Sequence, residues 1–127
     1  MRILAIISLF SLFVFADINI VTSNKNPIKN VTIEQLASVY LKKTDNIDGI
    51  KVIPIDNKDS YHEFCKKVIK KTPKQLHAYW MKEIYRGNKQ PPPKLSDKQI
   101  KEKMEQNPKV ISYTSNKSTG KILFTIR

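Results

Sequence analysis

The sequence is poor in the residues that metal sites and phosphate loops use. It contains one cysteine, two histidines and three glycines among 127 residues. A zinc site needs three or four ligands, and neither Asp59 with His62 and Cys65 nor His62 with His77 completes such a set. The chain also lacks a glycine-rich phosphate loop, a Ser-His-Asp arrangement and an HExxH pattern. The sequence therefore predicts no metal and no cofactor.

The single thiol, at Cys65, does not form a catalytic pair. His62 lies three residues before it on one predicted helix, whereas a nucleophile and its base normally come from separate elements. Cys65 also belongs to an apolar helix stripe with Tyr61, Phe64, Val68 and Ile69. A thiol in such surroundings is inert. We therefore interpret Cys65 as a small core residue and expect no enzyme activity.

Long apolar runs are absent except at the start of the chain. Arg2 precedes an apolar run at residues 3–15, and Ala16 supplies a small residue at its end. The run is shorter than the about 20 residues of a spanning helix and is typical of a secretory signal peptide. We expect residues 1–16 to be this signal peptide and residues 17–127 to be one periplasmic domain. An uncleaved N-terminal anchor is the alternative.

Acidic residues are also few. The chain has 11 Asp and Glu against 23 Lys and Arg, which gives a formal net charge of +12. None of the helix-turn-helix, zinc or aromatic-interleaved patterns of nucleic-acid-binding proteins accompanies this charge, so nucleic acid is not an expected partner. An exported basic protein meets lipid headgroups, cell-wall polymers, acidic proteins and small anions instead.

Lysines concentrate the charge on the helix predicted at residues 60–70. Helical spacing stacks Lys66 on Lys70 and Lys67 on Lys71, which makes a basic ridge beside the apolar stripe. The ridge is either a solvated face or a docking surface for an acidic protein partner, with at most peripheral membrane contact. Like charges this dense cost helix stability, which is a reason to expect a counter-surface.

Strand-like and helix-like segments alternate along the domain. Thr32 with Gln35 has the spacing of a capping box, and Thr72 and Ser96 mark two further helix starts. The predicted strands are 18–22, 51–55, 110–115 and 121–126, and the predicted helices are 32–41, 60–70, 73–85 and 96–107. This order predicts an α/β fold with three layers around one sheet. We expect the last two strands to form an antiparallel hairpin.

The stretch IDNKDSYHEFC, residues 55–65, leaves a strand and enters a helix. Ser60 and Glu63 have capping-box spacing, so each side chain could accept a hydrogen bond from the other's backbone N–H. The unpaired N–H groups of the same helix start could hold an anion. Asp56 and Asp59 would repel a dianion there, and Lys58 offsets only part of that repulsion. We therefore expect the helix to cap itself.

Several of these segments together resemble a known family. They are Pro54-Ile55-Asp56, Ser60 with Phe64 and Val68, Tyr79-Trp80, Gly87, Pro91-Pro92 and NPKVISY at 107–113. In order and spacing they look like the small single-domain relatives of bacterial phosphate-binding proteins, the periplasmic receptors of phosphate ABC transporters. The resemblance covers residues 17–125. It implies a one-lobe, class II periplasmic-binding-protein-like fold with a mixed sheet, and phosphate as ligand.

The resemblance also implies an anion site, made by a Ser-Gly-Thr-like turn at a helix N-terminus together with an arginine. Ser60 matches the first hydroxyl, whereas Tyr61 and His62 replace the glycine and the threonine. The first arginine after the apolar run is Arg86. The candidate anion-binding residues, all expected at the carboxyl edge of the sheet, are Ser60, Lys58, Ser23, Asn24 and Thr32.

Two functions follow from these observations. The first is an exported accessory or protein-interaction subunit of an envelope complex, such as a transporter or a flagellar motor, with a degenerate ligand site. Its partner is a protein of the envelope or a second copy of the chain. The second is a periplasmic receptor that binds phosphate or another small anion for an ABC transporter. Tyr61 and His62 favour the first, and the Ser60 helix start favours the second.

Overall fold

The computed structural model describes residues 17–87, 89–116 and 120–127, so the predicted signal peptide lies outside the described residues. The helices are α1 Ile33–Tyr40, α2 Tyr61–Phe64, α3 Pro73–Tyr85 and α4 Asp97–Gln106, and a π-helical turn, Cys65–Ile69, continues α2. The strands are β1 Ile18–Thr22, β2 Asn46–Ile47, β3 Ile50–Lys51, β4 Ile53–Pro54, β5 Asp56–Asn57, β6 Lys94–Leu95, β7 Val110–Thr114 and β8 Lys121–Ile126. None of these described helices has the length and apolar character needed to cross a bilayer.

A four-stranded sheet with the order β4-β7-β1-β8 forms the centre of the domain. β4 runs parallel to β7, whereas β1 is antiparallel to both β7 and β8. The predicted mixed sheet is confirmed. The predicted hairpin is wrong, because β1 lies between the last two strands and takes the hydrogen bonds that they would have made to each other.

The strand predicted at 51–55 is divided between two sheets. β3 pairs with β2 in a small antiparallel ribbon, and β4 joins the central sheet. The chain then continues into β5, which pairs in parallel with β6. The carboxyl end of β4 therefore leads through a second, short pair of strands before α2 begins.

Apolar side chains cover both faces of the central sheet. Ile20 and Ile111 belong to the larger core, which also contains the buried residues of α1, the π turn and α3. Val21 and Val110, one position away along the same strands, belong to a smaller core with the buried residues of α4. Successive strand side chains point to opposite faces, so helices cover the sheet on both sides. The predicted three-layer arrangement is confirmed.

Three helices begin with the same reciprocal capping box. In each, the hydroxyl of the N-cap residue accepts the backbone N–H of a glutamine three residues later, and the glutamine side chain accepts the N-cap N–H. The pairs are Thr32 with Gln35 in α1, Thr72 with Gln75 in α3, and Ser96 with Gln99 in α4. The helix starts predicted at these three N-cap residues are confirmed.

The helix predicted at 60–70 ends in a π-helical turn. The N–H of Lys70 donates to the carbonyl oxygen of Cys65 at 2.7 Å, and Lys70 itself is left-handed with φ of 59°. The wider turn changes the direction of the side chains that follow α2. Phe64 is fully buried, whereas Cys65 is only half-buried and packs against the margin of the larger core.

Three aromatic rings connect the sheet to the helices of the larger core. The rings of Phe64 and Tyr113 stack with their centroids 3.8 Å apart and an interplanar angle of 2°. Tyr40 meets the Phe64 ring edge-on at 4.7 Å, and its hydroxyl lies 3.1 Å from the carbonyl oxygen of Ile55. This cluster fixes the start of α2 against β7.

Replacing Phe64 with alanine should lower the free energy of unfolding by about 3–5 kcal/mol, because it removes a fully buried ring and leaves a cavity. Urea unfolding followed by circular dichroism measures the change. Phe124→Ala on β8, where the ring is 36% exposed, is the matched control and should cost about 1 kcal/mol or less. Equal losses in the two variants would contradict the assignment of Phe64 to the core.

Candidate functional site

The carboxyl edge of the sheet, where β4 and β7 end, carries a continuous polar network. Asn57 in β5 is fully buried at its centre. Its amide nitrogen donates to the carbonyl oxygen of Tyr113 at 2.9 Å and to Oδ1 of Asp97 at 2.6 Å. Its amide oxygen accepts the backbone N–H groups of Asp59 at 2.9 Å and Ser60 at 3.3 Å. One side chain therefore uses both ends to organise this edge.

The carboxylate of Asp97 is the negative centre of the same network. Asp97 is the first residue of α4, where the helix dipole stabilises negative charge. Besides the amide of Asn57, the hydroxyl of Thr114 at 2.9 Å and the side-chain amide of Asn116 both donate to it. Three donors, from β5 and from the end of β7, thus converge on an anion that belongs to the protein itself.

Ser60 does not cap α2 through its side chain. Its ψ of 5° is not the extended conformation of the other three N-caps, and no N–H of α2 donates to its hydroxyl. The hydroxyl lies 2.9 Å from the hydroxyl of Ser115 instead, and Glu63 pairs with Lys67 at 3.5 Å. The predicted Ser60–Glu63 capping box is wrong, because the Asn57 side chain determines the backbone conformation at this position.

Of the other predicted anion-binding residues, Lys58 lies near Ser60, whereas Ser23 and Asn24 do not. Lys58 is exposed on the same loop. Ser23 and Asn24 follow β1, which runs antiparallel to β7, so they lie at the opposite end of the sheet. There they line a separate cavity of about 450 Å³ whose walls include the acidic Glu105. The expectation of one shared edge is therefore wrong for Ser23 and Asn24.

The hydroxyl of Thr32, the fifth predicted anion-binding residue, serves the start of α1. It accepts the backbone N–H of Gln35 at 3.0 Å, in the capping box described above. That donor N–H is one of the groups an anion at this helix start would use.

Asp56 is a buried carboxyl beside this network. The hydroxyl of Tyr113 donates to its Oδ1 at 2.7 Å, and its backbone N–H donates to the carbonyl oxygen of Pro93 at 2.8 Å. Burial raises the pKa of the Asp56 carboxyl from 3.8 to about 6, and the Tyr113 hydrogen bond and the Lys94 charge offset part of the rise. A charge here is costly, so Asp56 disfavours a second anion nearby.

A groove of about 940 Å³ runs between the α2–π segment and α3. Buried Leu76 and Trp80 of α3 contribute to its lining, as do the more exposed Met81 and Ile84. Tyr61, Pro91 and Pro92 contribute from the other elements.

The lysine ridge predicted on the second helix is replaced by a ring of lysines around this groove. Lys67 leaves the group, because it is half-buried and paired with Glu63. Lys66, Lys70 and Lys71 line the groove with Lys94, whose Nζ lies 3.8 Å from the centroid of the Tyr61 ring. The π turn and the left-handed Lys70 break the i, i+4 stacking on which the ridge depends.

The described residues offer little for catalysis. Burial raises the pKa of the Cys65 thiol, which keeps it protonated and a poor nucleophile. His62 is exposed on the neighbouring turn. Within 17–87, 89–116 and 120–127, no three His, Cys, Asp or Glu side chains come together as metal ligands.

The fold is similar to that of solved receptors of phosphate transporters. An ABC-type phosphate transport receptor from Vibrio cholerae matches with a TM-score of 0.62 and 16% identity, over 85% of this chain and 46% of that chain. PstS from Borrelia burgdorferi matches with a TM-score of 0.54 and 22% identity, over 80% and 42%. A protein from Clostridium perfringens with bound phosphate, described as a phosphate ABC transporter substrate-binding protein, matches with a TM-score of 0.54 and 17% identity. The match covers 84% of this chain and 45% of that chain.

These matches confirm the predicted periplasmic-binding-protein-like fold. No family model and no curated protein matches the sequence. The chain spans less than half the length of each solved structure it matches. At this level of identity the likeness establishes the fold, and the site must be judged from its own residues.

Removing the Asp97 carboxylate should destabilise the protein by about 1–3 kcal/mol, because it leaves amide and hydroxyl donors without their acceptor. Asp97→Ala tests this by urea unfolding at neutral pH. Asp59→Ala is the control, because the Asp59 side chain is exposed on the loop before α2. It should change the free energy of unfolding by about 0.5 kcal/mol or less. An Asp97→Ala protein as stable as this control would contradict the structural role of the carboxylate.

Replacing Asp56 with asparagine should flatten the pH dependence of stability. The folded protein binds the Asp56 proton more tightly than the unfolded chain, because the folded pKa of about 6 lies above 3.8. Between those two values the free energy of unfolding therefore falls as pH rises, by up to about 3 kcal/mol. Asp56→Asn keeps an acceptor for Tyr113 without the charge, so this loss should disappear.

Urea unfolding of the two proteins near pH 4 and pH 7 measures the difference. The variant should match the native sequence in acid and be the more stable protein at neutral pH. Asp59→Asn should follow the native curve throughout. If the free energy of unfolding of Asp56→Asn and of the native protein changed equally between the two pH values, the Asp56 pKa would not be raised.

Proposed function

We propose that this chain is an exported, non-enzymatic, phosphate-binding-protein-like domain that acts through a protein partner. It would serve as an accessory or interaction subunit of a complex in the cell envelope, such as a transporter or a motor. The apolar run at residues 3–15 and the fold of the solved receptors support the periplasmic location. The non-enzymatic part of the proposal is supported by Cys65, because burial raises the pKa of its thiol and keeps it protonated.

The observation that carries this proposal is the internal anion at the carboxyl edge. Three side-chain donors at this edge are already bound to Asp97, and the hydroxyls of Ser60 and Ser115 meet each other. A phosphate ion that used these groups would have to displace their bonds and lie beside the Asp97 carboxylate, which is unfavourable at short range.

The alternative is a solute receptor for phosphate. The solved structures with this fold are described as phosphate receptors, and one contains bound phosphate. In this chain the Ser60 and Ser115 hydroxyls, with exposed Lys58 on the same loop, are the groups that would receive the ion. This reading requires the two hydroxyls to separate and both to turn toward the ligand.

Titration of inorganic phosphate into residues 17–127, which contain every core element described, should give no saturable heat. The melting temperature should also stay constant at millimolar phosphate, because a ligand at 100 times its dissociation constant would add about 2.7 kcal/mol of stability. Sulfate at equal ionic strength is the control. A phosphate-selective signal that Ser60→Ala abolishes would sink the proposal and establish the receptor function.

A further inference from the structure

We infer that the groove between the α2–π segment and α3 docks an acidic amphipathic helix of the partner. This inference rests on the proposed protein-interaction function and names its site and the chemistry of its partner. It follows from the groove's apolar lining, its lysine rim, the helical segments that make up most of its walls and its buried Leu76 and Trp80.

The apolar lining can contact about two turns of a helix. Leu76, Trp80 and Ile84 recur every four residues along α3, which spans about 12 Å of helix length. Leu76 and Trp80 are recessed, at 7% and 8% exposure, whereas Ile84 is 46% exposed. An apolar side chain of the partner would therefore contact the already packed Leu76 and Trp80 and would bury the exposed surface of Ile84.

The rim of the groove is positive. Lys66, Lys70, Lys71 and Lys94 line it with two histidines, and no acidic residue does. In the described part of the chain, none of these four lysines has a carboxylate within ion-pair distance, whereas Lys67 nearby has Glu63. The charge of Lys94 acts on the buried carboxyl of Asp56, whereas the other three have no such partner among the described residues. Like charges beside an apolar surface are complementary to a helix with acidic flanks.

The walls favour a helix over a strand as the occupant. A strand must pair its backbone N–H and C=O groups with an open sheet edge. Helical segments supply most of this lining, and the extended segment beside it contains Pro91 and Pro92, which have no N–H to offer. A helix pairs its own backbone groups internally and needs only side-chain contacts.

A folded partner also fits the groove better than a lipid surface. Apolar groups that insert into a bilayer must protrude from the protein. Met81 and Ile84 of the groove are exposed, but Leu76 and Trp80, which also line it, are buried. A helix can enter the groove and contact these two buried side chains, which a flat membrane surface reaches less well.

The test uses a synthetic peptide of about 15 residues, long enough to be helical, with leucines at i, i+3, i+4 and i+7 and glutamates flanking them. The control peptide has lysine at each glutamate position. Trp80 is the only tryptophan of the chain and lines the groove. Its fluorescence therefore reports occupancy directly, without a label.

Two pairs of variants locate the binding. Ile84→Glu should weaken the acidic peptide at least about tenfold, whereas Ile122→Glu on β8, with nearly the same exposure of 45%, should not. The double reversal Lys66→Glu with Lys70→Glu should also weaken it at least about tenfold and reduce its salt dependence. Lys98→Glu with Lys103→Glu on α4 changes the net charge equally and should have little effect.

Binding of the acidic peptide that follows this pattern supports the inference. Failure of the acidic peptide to change Trp80 fluorescence, or equal weakening by the control variants, overturns it. If the protein binds anionic vesicles but not the peptide, and Ile84→Glu abolishes the vesicle binding, the inference is overturned in favour of a membrane surface. If neither the peptide nor phosphate binds, the groove inference fails and the proposed function stands. If phosphate binds selectively, the proposed function itself is overturned.

Discussion

The side-chain amide of Asn57 joins the parts of the domain that meet at the carboxyl edge. It binds the backbone of β7 through Tyr113, the start of α4 through Asp97, and the loop before α2 through the N–H groups of Asp59 and Ser60. Because Asn57 is fully buried, leaving its amide groups without partners would be costly. The position of α2, and with it one wall of the groove, depends on this residue.

The network shows how the polar groups at this edge are satisfied within the protein itself. Polar donors at the edge of an α/β sheet need an acceptor whether or not a ligand is present. Here Asp97 is that acceptor, placed where the α4 dipole also stabilises negative charge. The edge is therefore part of the scaffold, and under the proposed function recognition takes place at the lysine-rimmed groove.

Part of the local structure was predictable from sequence: three capping boxes form, whereas Ser60 and Glu63, which have the same spacing, make none. The capping boxes at Thr32, Thr72 and Ser96 depend on residues three positions apart, so their pattern is visible in the chain. The pairing of β1 between β7 and β8 depends on residues almost 100 positions apart, and no local signal marks it. The π turn likewise has no sequence signature, which is why the lysine ridge was mispredicted. The sequence analysis did not single out Asp97, because its partners Asn57 and Thr114 come from distant segments.

The strand order also has a consequence for the time course of folding. β1 is the first strand of the domain, yet it pairs on both sides with the last two, with Asn19 opposite Thr114 and Ile18 opposite Ile126. The central sheet cannot close until β7 and β8 have been synthesised, and loop closure over such separations makes folding slow. Until then both edges of β1 have no partner strand, so the chain must stay soluble with its central strand unpaired.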